Sequence, residues 1–157
     1  MVLGVMLVGA VFIAPSAAAQ GGVGADKAAG GGAPTQRFLV IDTNPREKPN
    51  PPVLGFGPIH AKGVDKQVSG HKDIFKFPRG SLVIRHQRTS QSQSHDPATC
   101  LFRFSERGTY QVARGTGAYV GAHGHGHYVV HGKFVACSQG PPAAFVVQIR
   151  AHGPLRL

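Results

Sequence analysis

The stretch from residue 115 to 132, GTGAYVGAHGHGHYVVHG, sets four histidines, His123, His125, His127 and His131, two or four residues apart. Imidazole is the commonest metal ligand, and its charge changes near neutral pH. On a strand, alternate side chains share a face, so these four stand with Val129 on one side. Same-face neighbours lie roughly 6 to 7 Å apart, so two of His123, His125 and His127 can reach one metal ion. A tight site needs a third or fourth ligand from an adjacent strand, and nothing in the sequence fixes one. The opposite face carries Gly124, Gly126, Tyr128, Val130, Gly132, Phe134 and Ala136 and is the apolar one. It is expected to point inward. The histidines then form a solvated or subunit-contact wall, and charged together in acid they would repel one another.

Glu106 is the second candidate, for acid–base chemistry. It shares a strand face with Phe102 and Phe104. Burial there would raise its pKa and let it hold a proton near neutral pH. The competing reading is an ion pair with Arg85, Arg103 or Arg107 at a strand end. Phe102, Phe104, Tyr110, Tyr128 and Phe134 form the candidate ligand-binding set, with aromatic core packing as the alternative role. Asp96-Pro97 beside His95 reads as a turn rather than a catalytic loop. There is no G-x-S-x-G, H-E-x-x-H or phosphate loop, so hydrolase, metalloprotease and nucleotide-enzyme readings find no support.

These residues need elements to hold them, and the chain divides accordingly. Residues 1–19 are apolar and end in Ala17-Ala18-Ala19, an A-x-A pattern that predicts a signal peptide cleaved before Gln20. No Lys or Arg precedes Lys27, so the usual basic start is missing. Export to an oxidising compartment predicts a disulfide between the two cysteines, Cys100 and Cys137. Closing a loop of about 37 residues is worth roughly 3 to 4 kcal/mol in the chain-entropy model. Residues 20–36 are Gly- and Ala-rich and read as a flexible tether, leaving 37–157 as one folded domain.

Seventeen Lys and Arg oppose seven Asp and Glu, for a net charge of +10. The positive charge is spread among strands, with no basic block interleaved with aromatics, so nucleic-acid binding finds little support. An anionic wall polymer, an anionic lipid or solubility accounts for it better in an exported protein.

Within the domain, turns and short alternating segments follow one another and no helical period is sustained. The Pro-rich stretch 44–58 is expected to be an extended loop or edge crossing. Strand candidates are 60–69, 73–77, 81–89, 100–107, 109–113, 122–137 and 145–152, with 90–99 as a polar loop. About eight antiparallel strands at this spacing predict an all-β protein, a barrel or sandwich.

The run E-R-G-T-Y-Q-V-A-R-G-T-G-A-Y-V-G-A-H-G-H-G, from Glu106 to Gly126, resembles the allene oxide cyclase and dirigent barrel superfamily. The shared element is a strand, a G-T-G turn, an aromatic and G-A-x-G, here Gly115, Thr116, Gly117, Tyr119, Gly121, Ala122 and Gly124. With D-P-A-T-C and a closing G-P-L, the chain looks like small secreted bacterial proteins of this type over roughly residues 53–157. The resemblance implies an eight-stranded up-and-down barrel with a lumen pocket, often a homotrimer. It also implies a small hydrophobic ligand, steered in cyclisation or coupling without a cofactor.

Three readings follow. The first is a secreted barrel that binds a small hydrophobic or aromatic molecule in its lumen. The second is a cofactor-free cyclase or isomerase acting in that pocket, and the third is a surface interaction scaffold with a filled barrel. A buried carboxylate facing an open lumen favours the enzyme, an apolar lumen without one favours the binder, and a filled lumen favours the scaffold.

Overall fold

The computed structural model describes residues 32–43, 50–137 and 142–157. The expected signal peptide and most of the expected tether lie outside the described residues. Eight strands follow in order: β1 (Thr35–Asp42), β2 (Pro52–Phe56), β3 (Ala61–Ser69), β4 (Lys72–Phe77), β5 (Gly80–Asp96), β6 (Leu101–Gly115), β7 (His123–Val135) and β8 (Ala144–Arg156). Each pairs antiparallel with its neighbours in sequence, and β1 pairs with β8 from Thr35–Pro154 to Asp42–Val147. The sheet is a closed up-and-down barrel, which leaves the strands no free edge along the closed wall.

Three segments differ from the sequence expectation. Pro52–Phe56, placed in the Pro-rich loop, is a strand bonded to both β1 and β3. Its proline is the first residue, where a missing N–H costs least, and its Val53 is fully buried. Ser90–Asp96, expected as a polar loop, continues β5 and pairs with Leu101–Arg107 of β6. The result is a long β5–β6 hairpin arm, and Cys100 at its turn is joined to Cys137 just beyond β7. The domain also starts slightly early, because Gln36 is fully buried. Its amide donates to the Ile59 carbonyl at 3.1 Å and accepts from the Ile59 N–H at 2.8 Å, tying the β2–β3 loop to β1.

One end of the barrel is packed solid. Ile59, Phe77, Leu82, Val112, Tyr119, Ala122 and Leu155 fill it, each large apolar side chain contributing roughly 1.5 to 3 kcal/mol on burial. The G-T-G-A-Y motif builds this plug. Thr116 and Ser81 exchange two hydrogen bonds, Thr116 N–H to the Ser81 carbonyl at 2.9 Å and Ser81 N–H to the Thr116 hydroxyl at 3.0 Å. Gly117 then turns the chain at φ 61° into a single 3-10 turn, Gly117–Tyr119, that drives Tyr119 into the core. A side chain at 117 would meet both left-handed strain and the Arg79 carbonyl, 2.5 Å from its Cβ.

Candidate functional site

At the other end the interior opens into a cavity of about 430 Å³. Strand alternation decides its lining. Phe38 and Val40 come from β1, Asp65 and Gln67 from β3, Asp73 and Phe75 from β4, Ile84 and His86 from β5. The remaining wall is Phe104, Glu106 and Tyr110 of β6, Tyr128 and Val130 of β7, and Val147, Ile149 and Ala151 of β8. Exposed Gln67 and Gly70 form part of its rim.

Set into this apolar wall are Asp42, Asp65, Asp73 and Glu106, four of the chain's seven acids. No Lys or Arg appears among the described residues that line it. The acids differ in their partners. Asp73 Oδ2 lies 3.2 Å from His86 Nε2, and both side chains are largely buried. The hydrogen bond to Asp73 holds the His86 pKa above the usual imidazole value, against the opposing effect of burial. Glu106 Oε1 accepts the Tyr128 hydroxyl at 2.6 Å, and Arg88 Nη1 stands 3.8 Å from Oε2. Burial first, and then the bond to Glu106, pushes the Tyr128 hydroxyl pKa upward. Tyr128 can lie across β6 because Gly108 has no side chain; a Cβ there would sit 2.4 Å from the Tyr128 ring.

Asp65 is different. Only 6% of it is exposed, and among the described residues its Oδ1 has no hydrogen-bond partner. Desolvation, reinforced by Asp73 and opposed by His86, raises its pKa to about 7. It stands on β3 diagonally across from Asp73, since Gln67 is the register partner of Asp73 and Asp65 that of Phe75.

Of the residues singled out from sequence, Phe104, Glu106, Tyr110 and Tyr128 are brought together here. Burial raises the Tyr110 pKa to about 12. Phe102 and Phe134, expected inside the barrel, do not line the cavity. They share the inward phase of their strands, but β6 and β7 outrun the closed wall at that point. Phe102 instead stacks on Phe134 at 4.8 Å and on His95 at 3.9 Å, beside the arm. The arginine beside Glu106 is Arg88, not Arg85, Arg103 or Arg107.

His123, His125, His127 and His131 are all exposed, while Tyr128 and Val130 between them are buried. His127 pairs across the sheet with His152, ring centres 6.4 Å apart. Among the described residues no three His, Cys, Asp or Glu side chains converge as a metal would require.

Sequence reading passed over Asp65, Asp73 and His86. A signal existed for two of them: Asp73 is in phase with Phe75 and Phe77, and His86 with Ile84. Comparison with known proteins finds no matching family model, curated protein or solved structure. The Cys100–Cys137 disulfide is compatible with an extracellular location.

Proposed function

We propose that this barrel is an exported protein that holds a small apolar or aromatic molecule in its lumen, in the manner of the allene oxide cyclase and dirigent group. The observation that carries the reading is the 430 Å³ cavity walled by Phe38, Phe75, Phe104, Tyr110 and Tyr128. A concave, mostly apolar pocket of about 300 to 1,000 Å³ with a few convergent polar groups is the usual form of a small-molecule site. The cavity itself weighs against a filled scaffold.

The test is the fluorescence of N-phenyl-1-naphthylamine, a neutral aromatic probe that brightens in apolar surroundings. Wild type should bind it saturably, and Ala151→Trp, which puts an indole into the cavity, should abolish binding while the protein stays folded. Equal probe binding by both would remove the lumen as the site. Export is tested separately by N-terminal sequencing of the secreted chain, which should begin near Gln20.

Asp65 favours a second reading, cofactor-free cyclisation or isomerisation. A buried carboxyl with a pKa of about 7 retains its proton where a ring closure or double-bond shift needs a donor. Glu106 suits that role less, because Tyr128 and Arg88 already engage its two oxygens.

A further inference from the structure

The lumen divides its chemistry unevenly. Aromatic and aliphatic side chains make most of the wall, yet the polar groups set into it are predominantly acidic. Outside, the protein is strongly basic, with a net charge of +10, so the lumen acids are not part of a generally acidic surface. Each acid's surroundings then matter. Asp73 has His86 at 3.2 Å, and Glu106 has Tyr128 at 2.6 Å and Arg88 at 3.8 Å. Asp65 lines this cavity, and among the described residues its buried Oδ1 has no hydrogen-bond donor.

A buried carboxylate oxygen without a donor is among the most costly polar arrangements in a protein. A donor arriving with the ligand would satisfy it, and a positively charged donor would also offset the repulsion between Asp65 and Asp73. The aromatic wall suits the same charge, since ring faces attract cations. An anionic ligand would face the lumen acids with no Lys or Arg among the described lining residues to receive it, and His86 already engaged by Asp73.

Resting on the lumen-binding reading, we propose that the ligand is an aromatic or apolar amine whose ammonium group docks against Asp65, with Asp73 beside it and its apolar body among Phe38, Phe75 and Phe104. The ammonium donates to the Asp65 carboxylate, so binding favours the ionised carboxyl and displaces its proton. Amine affinity therefore rises with pH toward 8. Asp42, Asp73, His86, Glu106, Tyr110 and Tyr128 also face the cavity. Only His86, with its raised pKa, adds positive charge as the pH falls, which weakens the amine further in acid.

Three probes with one indole body and different heads decide the matter: tryptamine (ammonium), tryptophol (hydroxyl) and indole-3-acetate (carboxylate). Each is titrated at pH 8 by calorimetry and by displacement of N-phenyl-1-naphthylamine. Tryptamine should bind at least about tenfold more tightly than tryptophol, as a charge-assisted hydrogen bond in a dry site implies. Indole-3-acetate should be the weakest. In Asp65→Asn the tryptamine preference over tryptophol should fall to within about threefold. Equal binding of tryptamine and tryptophol, or a preference that survives Asp65→Asn, would overturn the proposal. Binding of the neutral naphthylamine without any of the indoles overturns the amine assignment and leaves the lumen reading standing. Binding of none of the four overturns both.

Discussion

Replacing Asp65 by asparagine should stabilise the protein in alkaline solution and matter little in acid. Below pH 3.8 the carboxyl is protonated in the folded and unfolded chains alike, and asparagine is close to its shape and charge. Between 3.8 and about 7 the unfolded chain releases the proton while the folded one keeps it, because Asp65 is desolvated and faces Asp73. The folded state then holds more protons, so stability falls as pH rises, by about 1.4 kcal/mol per unit. The whole effect is about 4 kcal/mol, of which about 3 kcal/mol falls between pH 5 and pH 8. Asparagine has no such slope. His86, also raised, loses its contribution in the same direction, but it is present in both proteins and largely cancels in the comparison. The assay is urea unfolding followed by far-ultraviolet circular dichroism, with the disulfide intact, from pH 5 to 8.5. The stability of Asp65→Asn minus that of wild type should climb steadily to a plateau above pH 7. Parallel profiles, differing by less than about 0.5 kcal/mol across the range, would mean that Asp65 is solvated and that the reasoning about the lumen is wrong.

Other perturbations have separate readouts. Reduction of Cys100–Cys137, which spans a sequence separation of 37, should lower the unfolding free energy by roughly 3 to 4 kcal/mol in urea titrations with and without dithiothreitol. Gly117→Ala should cost roughly 1 to 2 kcal/mol for its left-handed backbone alone. The nearby Arg79 carbonyl adds to that cost, and thermal unfolding reads the total. Tyr128→Phe removes the donor to Glu106 and should cost about 1.5 to 3 kcal/mol in urea, as expected for a hydrogen bond to a charged group.

The all-β class and most strand positions were legible because one face of each strand is apolar and buried. β7 is the clearest case, with Tyr128 and Val130 inside and the histidines outside. The β5 extension was not legible. Ser90, Gln91, Ser92, Gln93 and Ser94 are all exposed, so no hydrophobic alternation marks them; they are strand because β6 offers them a ladder. In β2, Val53 and Phe56 carry strand character, but prolines on the approach mask it. The site was half legible. Glu106 has aromatic residues in phase with it, whereas Asp65 shares its face with Gly63 and Gln67, a pattern that reads as solvent-facing. Only closure of the barrel turns that face into a lumen wall.

That closure sets the energetic argument for function. A domain has about 5 to 15 kcal/mol of net stability, so a carboxyl that costs about 4 kcal/mol at pH 8 is a heavy local burden. Asparagine would fit the same backbone, and solubility does not require an acid inside a chain whose net charge is +10. The neighbouring acids are each compensated, Asp73 by His86 and Glu106 by Tyr128 and Arg88. Destabilisation concentrated on one buried polar group beside a cavity is characteristic of a binding or catalytic residue, where stability is traded for a ligand interaction. A lumen that only excluded water would be more stable with Asp65 replaced. The residue acquires a physical purpose when something enters that either takes its proton or supplies a donor to its carboxylate. The neutral-pH titration of Asp65 allows both, and the three indole heads separate them: a proton donor would not prefer tryptamine over tryptophol, whereas a carboxylate that receives an ammonium group must.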